Sequence, residues 1–137
     1  MTNNYQKTIQ VSIIGERTFE QYVGEFKFRT ILSYQEQLAE DRLRREYVEG
    51  PADTIPSPNA ESIANLFAYV QVRTDSAPTW WTESRNGLGL YDNNVIMEVY
   101  QAYLKAVGEH LAELKSKSDK ALEQLRAKPI VESDKVI

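Results

Sequence analysis

The sequence predicts an α+β protein that is mainly α, with an N-terminal antiparallel β-hairpin packed on three helices, the last one long and projecting. Two patterns predict this class. Residues 8–29 are rich in β-branched and aromatic residues that partly alternate with polar ones, as in half-buried strands. Later stretches place apolar residues at helical spacing: 34–48, 58–73 and 93–114. We expect one compact domain over residues 1–114, and a projecting helix end with an extended C-terminal tail over 115–137.

The predicted hairpin has two strands joined by a turn at residues 15–17. The first strand is the β-branched run 8–14, and the second covers 18–29. One face of the second strand carries Tyr22, Gly24, Phe26 and Phe28. Because an isolated hairpin is only marginally stable in water, we expect this face to lie on the helices or on another chain's sheet.

A first helix is predicted to begin at Tyr34, because Ser33 and Glu36 have the spacing of a capping box. Its apolar residues recur at roughly helical spacing: Leu38, Ala39, Leu43 and Tyr47. Its solvated side is expected to carry two i,i+4 ion pairs, Glu40/Arg44 and Asp41/Arg45. A Gly-Pro pair ends the helix, and the three prolines of residues 51–58 predict an irregular loop.

The second helix is predicted to begin at Pro58, with Ser57 as its N-cap, and to run to about Arg73. Its apolar residues follow at i, i+3, i+4 and i+7, which indicates one buried stripe: Ile63, Leu66, Phe67 and Val70. A segment rich in turn-forming residues separates this helix from the last one.

The last helix is predicted to begin at Asp92 or Asn93, either of which suits a helix cap. Its apolar stripe is long: Ile96, Val99, Tyr100, Tyr103, Leu104, Val107, Leu111 and Leu114. The pattern fades at Ser118 and then returns at Leu122 and Leu125. A continuous helix of ~35 residues would span roughly 50 Å, which is longer than a domain of this size can cover. We therefore expect its second half, from about Lys115, to project.

Composition excludes several classes of function. The chain has 137 residues and a net charge of −4, with acidic and basic residues mixed along it. This mixture argues against a nucleic-acid-binding face, which needs clustered Lys and Arg. The lack of cysteine excludes disulfides, thiolate chemistry and cysteine-based zinc sites. No apolar run approaches the roughly 18 residues of a membrane span, so we expect neither a nucleic-acid nor a membrane partner.

Few residues suggest catalysis or metal binding. His110 is the only histidine, and it lies in the last predicted helix near Glu109 and Glu113. Helical spacing allows a metal site there, but a solvent-facing histidine among acidic residues explains the pattern better. An acid/base pair could combine the adjacent carboxylates Glu40 and Asp41 with Asp92, but these groups already have local roles, in helix ion pairs and in a helix cap. We predict no catalytic residue, no metal site and no cofactor.

The only tryptophans, Trp80 and Trp81, are adjacent and lie between the second and last predicted helices. Because adjacent side chains point in different directions, we expect at least one ring in the core and the other nearer the surface. The Gly-Leu-Gly turn at 87–89 lacks the strand and the Lys-Ser/Thr of a phosphate loop. We expect it to let Leu88 and Leu90 tuck under the tryptophans. Tryptophan anchors many interfaces, and the predicted partner-binding residues are Trp80, Trp81, Leu88, Leu90, Leu122 and Leu125.

Several motifs, taken in order, carry a family resemblance. They are the strand Phe26-Lys27-Phe28, the helical run 39–46, a Gly-Pro loop, the helix end 70–73, the segment Ala77-Pro78-Thr79-Trp80-Trp81, and Leu90-Tyr91-Asp92 before the last helix. This order resembles tail assembly chaperones and neighbouring virion morphogenesis proteins of tailed bacteriophages. The resemblance covers roughly residues 24–112, and the Pro-x-Trp-Trp turn is its most specific part.

The resemblance implies a non-enzymatic, mainly helical protein that binds other phage structural or assembly proteins in the host cytoplasm. Members of the chaperone family are thought to coat the tape-measure protein and to recruit tail-tube subunits. The additional N-terminal strand pair and the long charged C-terminal helix also suit a structural virion subunit, such as a capsid decoration or neck protein. The edge of the hairpin offers a further assembly surface by strand addition.

A different class of function is a small helical adaptor that dimerises through helix 111–128. In this alternative Leu122 and Leu125 form part of a seam between two copies. A homo-oligomer is therefore expected in one alternative, and contacts with other phage proteins in the others.

Overall fold

The computed structural model describes residues 5–48 and 58–127. In chain order its elements are β1 (Gln6–Ile14), β2 (Gln21–Arg29), α1 (Tyr34–Val48), α2 (Pro58–Arg73), β3 (Thr74–Ser76), α3 (Thr79–Thr82) and α4 (Asn93–Ala127). The predicted fold class is confirmed, because an antiparallel hairpin is followed by helices of which the last is long. The predicted cap at Ser57, nearly all of the predicted loop 51–58 and the tail beyond residue 127 lie outside the described residues.

The sheet is the predicted hairpin extended by one short strand. β1 and β2 pair from Gln6 with Arg29 to Ile14 with Gln21. The face of β2 that was expected to pack inward is buried at its three large side chains, Tyr22, Phe26 and Phe28. β3 pairs antiparallel with β2, so the strand order is β1-β2-β3. The sequence does not predict β3, because three residues without an apolar side chain show no strand pattern.

α1 begins where its capping box places it. The Ser33 hydroxyl accepts a hydrogen bond from the backbone N–H of Glu36 at 3.2 Å, and the Glu36 carboxylate accepts one from the Ser33 N–H at 2.8 Å. On the solvated side Asp41 binds Arg45 at 2.5 Å, as predicted, and also Arg44 at 2.6 Å. Local capping chemistry thus sets the start of α1.

The predicted ion pair between Glu40 and Arg44 is wrong, because Glu40 binds Arg73 of α2 at 2.6 Å. α1 packs on α2, and Glu40 lies at this contact, where the Arg73 side chain is mostly buried. Water screens such a pair less than it screens a pair on the open surface. The Arg73 guanidinium also lies 3.6 Å from the centre of the Tyr69 ring, so Arg73 helps to hold α1 on α2.

α2 has the predicted bounds but a different buried face. Three of its four predicted core residues are buried: Leu66, Phe67 and Val70. Ile63 is exposed, and Ala64 and Ala68 are buried in addition. Because α2 packs against both α1 and α4, its buried surface is wider than the single stripe that the spacing predicts.

α4 is one continuous helix of 35 residues. Its buried residues are Val95, Ile96, Val99, Tyr103, Val107 and His110. Two corrections follow. Leu104 and Leu111, expected in the buried stripe, are exposed, and His110, expected to face solvent, is buried. Each exposed leucine follows a buried residue and so lies about 100° round the helix from it, away from the sheet.

The second half of α4 projects, as predicted. Every side chain from Lys115 to Ala127 is exposed, including Leu122 and Leu125. The last side chain of α4 that is even partly covered is Leu114. The body of the protein therefore supports α4 only over its first two thirds.

Candidate functional site

Trp81 lies in the centre of the core, as expected for at least one of the two tryptophans. α3 is a single helical turn whose start is set by Pro78, since the Pro78 carbonyl accepts a hydrogen bond from the Trp81 N–H at 3.0 Å. Trp81 is 1% exposed and meets Phe26 of β2 edge-on, with 5.4 Å between ring centres. Phe26 also meets Tyr103 of α4 edge-on at 5.9 Å. This aromatic cluster joins the sheet to the helices.

Trp80 covers the end of the same cluster and is only partly buried. Its indole N–H donates to the backbone carbonyl of Val23 at 3.0 Å. Its ring meets Tyr22 edge-on at 5.1 Å and Phe26 edge-on at 5.8 Å. Gly24 makes this approach possible, because a Cβ at that position would overlap the Pro78 ring. The polar atom of Trp80 and most of its ring are therefore engaged within the chain.

The turn after α3 packs on Trp81 through Gly87. Gly87 has a φ of +94°, and a Cβ added there would lie 2.6 Å from the Trp81 ring. Leu88 is exposed rather than tucked under the tryptophans, whereas Leu90 is partly buried against the core and lines a surface depression together with Trp80. Because a side chain at Gly87 is excluded by the ring, the chain passes close to Trp81 and then turns both leucines towards α2 and α4.

Leu88 and Leu90 line an apolar groove between α2 and α4. The groove has a volume of about 340 Å³, and its other walls are formed by Ile63, Leu66, Phe67, Asn93, Ile96 and Met97. Leu88 is 44% exposed, and Ile63 and Met97 are exposed to a similar degree. Seven of the eight lining residues are apolar, so this groove is the candidate functional site.

The groove continues along the crevice between the two helices. A neighbouring depression of about 380 Å³ shares Ile63, Leu66 and Met97 with it and reaches Tyr100. Of the predicted partner-binding residues, only Leu88 and Leu90 lie at the groove. Trp80 and Trp81 lie in and beside the core, and Leu122 and Leu125 lie on the projecting end of α4.

Asp92, which directly precedes α4, connects the hairpin turn to the start of this helix through hydrogen bonds. The Asp92 carboxylate is fully buried and accepts hydrogen bonds from the backbone N–H groups of Arg17 at 2.7 Å and Thr18 at 3.0 Å. It also accepts them from the hydroxyls of Thr18 at 2.5 Å and Tyr22 at 2.8 Å. Asp92 does precede the first residue of α4, as a cap should, but these four bonds direct its oxygens to the hairpin.

These hydrogen bonds set the ionisation of Asp92. Burial by itself raises the pKa of this carboxyl, but the bonds from Thr18, Tyr22 and Arg17 outweigh burial and lower the pKa from 3.8 to about 2. Gly15 is part of the same arrangement, since a Cβ there would overlap the Asp92 carboxylate. A carboxylate held in this way stays ionised and has no free oxygen to take up a proton from a substrate.

The side chain of His110 is enclosed within the fold and contacts another buried side chain. Its Nδ1 lies 2.6 Å from the Thr30 hydroxyl, and both side chains are buried. Glu113, which with Glu109 is one of the two candidate ligands in the metal alternative, binds Lys7 of β1 at 3.8 Å. Within the described residues no three His, Cys, Asp or Glu side chains are grouped so that they could hold a metal ion.

Comparisons with protein-family models, with curated proteins and with solved structures give no match. Among the helices of the described ranges, none is both long and apolar enough to cross a membrane. The groove, α4 and the order of the sequence motifs are the features of the chain that bear on function.

Proposed function

We propose that this chain is a non-enzymatic bacteriophage morphogenesis protein that acts by binding other polypeptides in the groove between α2 and α4. The observation that carries the proposal is the groove itself. It exposes a cluster of large apolar side chains on the surface, with Leu88 and Leu90 on one wall and Ile63 and Met97 on the other. Clustered exposed apolar residues are typical of sites that bind proteins or ligands.

The chemistry of the groove favours a polypeptide as its ligand. Asn93 is the only polar residue in its lining, whereas small-molecule sites usually contain several convergent polar groups. An open crevice between two helices suits the apolar face of an amphipathic helix, which is a common mode of peptide recognition. We therefore expect the ligand to be a helical segment with apolar residues at i, i+3, i+4 and i+7.

The resemblance to tail assembly chaperones supports the phage setting. Its most specific part, the Pro-x-Trp-Trp turn, is also the segment that positions the groove wall, since Gly87 packs on Trp81 just before Leu88. In a chaperone, a polypeptide client would occupy the groove in the host cytoplasm. The client would belong to the structural or assembly proteins of the same phage.

A structural virion subunit is the second candidate, and one observation favours it. The thirteen residues from Lys115 to Ala127 form a helical arm that is exposed at every position within the described part of the chain. Such an arm suits a capsid decoration or neck protein, which would grip its neighbours in the assembled particle. This candidate also needs no enzymatic site.

Two measurements test the proposal together. The tagged chain is expected to capture identified phage morphogenesis proteins from infected cells. Mass analysis of purified particles then separates the candidates, because a chaperone is absent from the particle and a structural subunit is present in many copies. Capture of no phage protein, combined with absence from the particle, would contradict the proposal.

A further inference from the structure

α4 carries an exposed apolar stripe in addition to the face that it buries in the core. Met97, Leu104, Leu111 and Leu125 are exposed and are spaced by seven residues or by a multiple of seven. The one position of this series that is not apolar is Ser118, and Leu122 lies beside it. Paired helices place apolar residues at two positions of each seven-residue repeat, and this exposed series supplies one of the two.

The stripe begins at the groove and ends on the projecting arm. Met97 lines the groove with Leu88 and Leu90, whereas Leu125 lies near the end of α4. At 1.5 Å per residue, the arm from Lys115 to Ala127 is roughly 20 Å long. The same stripe therefore joins the groove to the exposed end of α4, from Lys115 to Ala127.

The two halves of α4 have opposite net charge. Residues 93–114 contain three acidic residues and one Lys, which gives −2 with neutral His110. Residues 115–127 contain four basic and two acidic residues, which gives +2. An antiparallel pair of α4 helices places each positive half beside a negative half. A parallel pair instead places like charges together, which is unfavourable.

We infer that a second copy of this chain binds along the stripe, with the two α4 helices antiparallel. Leu111 is midway between Met97 and Leu125 in sequence, so a two-fold axis at Leu111 sets Met97 of each copy opposite Leu125 of the other. Each arm then lies against the groove of the other copy. This inference rests on the proposed function, since it names the polypeptide that occupies the same groove.

The dimer has a consequence for the proposed function. Pairing covers Met97 and the groove rim at both ends, and it gives Leu122 and Leu125 an apolar surface. A closed two-fold arrangement uses the same surface on both copies and leaves no open end for further association. Any other helical ligand of the groove then competes with the arm of the second copy.

Introduced cysteines test both the dimer and its direction. The chain has no cysteine. In each single variant, a disulfide formed under mild oxidation can therefore only join the introduced cysteine of one copy to that of another. We expect Leu111→Cys to cross-link to itself, and Met97→Cys to cross-link only when mixed with Leu125→Cys. Leu38→Cys, at an exposed position of α1, is the control for disulfides that form when two chains collide at random. Cross-links at the control level, or Met97→Cys linked to itself as in a parallel pair, would overturn the inference.

Sedimentation equilibrium of the full chain measures the strength of pairing. The double variant Leu104→Glu/Leu111→Glu is expected to raise the dimer dissociation constant at least about tenfold, because acidic residues enter an apolar seam. Leu38→Glu, at a residue of similar exposure, should leave that constant unchanged, and circular dichroism checks that each variant is folded. An unchanged constant in the folded double variant contradicts the inference.

The two proposals fail in different ways. A chain that remains monomeric but captures phage proteins leaves the proposed function in place and removes only the dimer. A chain that dimerises as described but captures no phage protein and is absent from particles keeps the dimer and removes the phage function.

Discussion

Trp81 and Gly87 together fix the path of the chain between α2 and α4. The ring occupies the space that a side chain at Gly87 would need, and Gly87 adopts a positive φ that favours glycine. The direction of Leu88, and with it one wall of the groove, follows from this contact. At the scale of single residues, the groove thus depends on a buried tryptophan that does not itself line it.

The first prediction concerns the two tryptophans. Trp81→Ala should lower the free energy of unfolding by about 3–5 kcal/mol, the usual loss for a buried aromatic residue. Trp80→Ala should cost less, because Trp80 is only partly buried. Urea denaturation of both variants measures the difference. Equal losses, or a larger loss at Trp80, would contradict the assignment of Trp81 as the central core residue.

The second prediction concerns Asp92 and pH. Because the pKa of Asp92 is lowered from 3.8 to about 2 in the folded chain, its ionised form stabilises the fold above about pH 4. This contribution is lost as the pH falls towards 2. Asp92→Asn should therefore melt at a lower temperature than the wild type at pH 7, with the gap narrowing between about pH 4 and pH 2.

The control for this prediction is Glu98→Gln, which removes one exposed negative charge from the first turns of α4. Melting curves of the three proteins are compared across the same pH series. A gap between wild type and Asp92→Asn that stays constant down to pH 2 would show that the buried carboxylate does not stabilise the hairpin turn through its charge.

α4 takes part in both proposals, the binding of a polypeptide in the groove and the antiparallel dimer. One face packs Val99, Tyr103 and Val107 into the core, and the neighbouring face carries the exposed stripe from Met97 to Leu125. Because the body supports only the first two thirds of the helix, the remaining turns rely on local interactions or on a partner. The length of α4 is thus more than the fold of one chain requires.

The third prediction is that removal of residues 115–137 abolishes dimerisation but leaves the fold as stable as before. All described side chains that this truncation removes are exposed, so the melting temperature should stay close to that of the full chain. The same truncation removes the positive half of α4 and Leu125, so the dimer should be lost in sedimentation experiments. A truncated chain that dimerises as strongly as the full chain would contradict the role of the arm.

The elements that the sequence predicts well are those set by local chemistry. The capping box at Ser33 and Glu36 places the start of α1, and the alternation in β2 identifies its buried face. The face that a helix buries depends instead on its neighbours. Ile63, Leu111 and His110 were assigned wrongly for this reason, since spacing alone does not tell which side of a helix meets the sheet.

At the scale of the whole molecule, the groove likewise could not be predicted from the spacing of apolar residues in the sequence. The turn residues draw attention to Leu88 and Leu90, but part of the groove opposite them comes from α2, which is distant in sequence. The relative placement of α2 and α4 depends on the packing of both on the sheet and cannot be obtained from periodicity. The exposure of Leu122 and Leu125 agrees with the predicted projection of the second half of α4, whereas their role in binding stays a prediction.

The groove and the exposed stripe share Met97 of α4, and the two halves of this helix carry opposite net charge. Together they support the proposed binding of another polypeptide. The proposed phage morphogenesis role and the proposed antiparallel dimer are two forms of such binding, and each has its own test.

The most direct test of the central claim compares capture by wild type, Leu88→Glu and Leu38→Glu from phage-infected cells. Both leucines are exposed to a similar degree, but only Leu88 lines the groove. We predict that Leu88→Glu keeps the wild-type melting temperature and loses the phage morphogenesis proteins that wild type and Leu38→Glu retain. Capture that is unchanged in a folded Leu88→Glu variant would contradict binding through the groove.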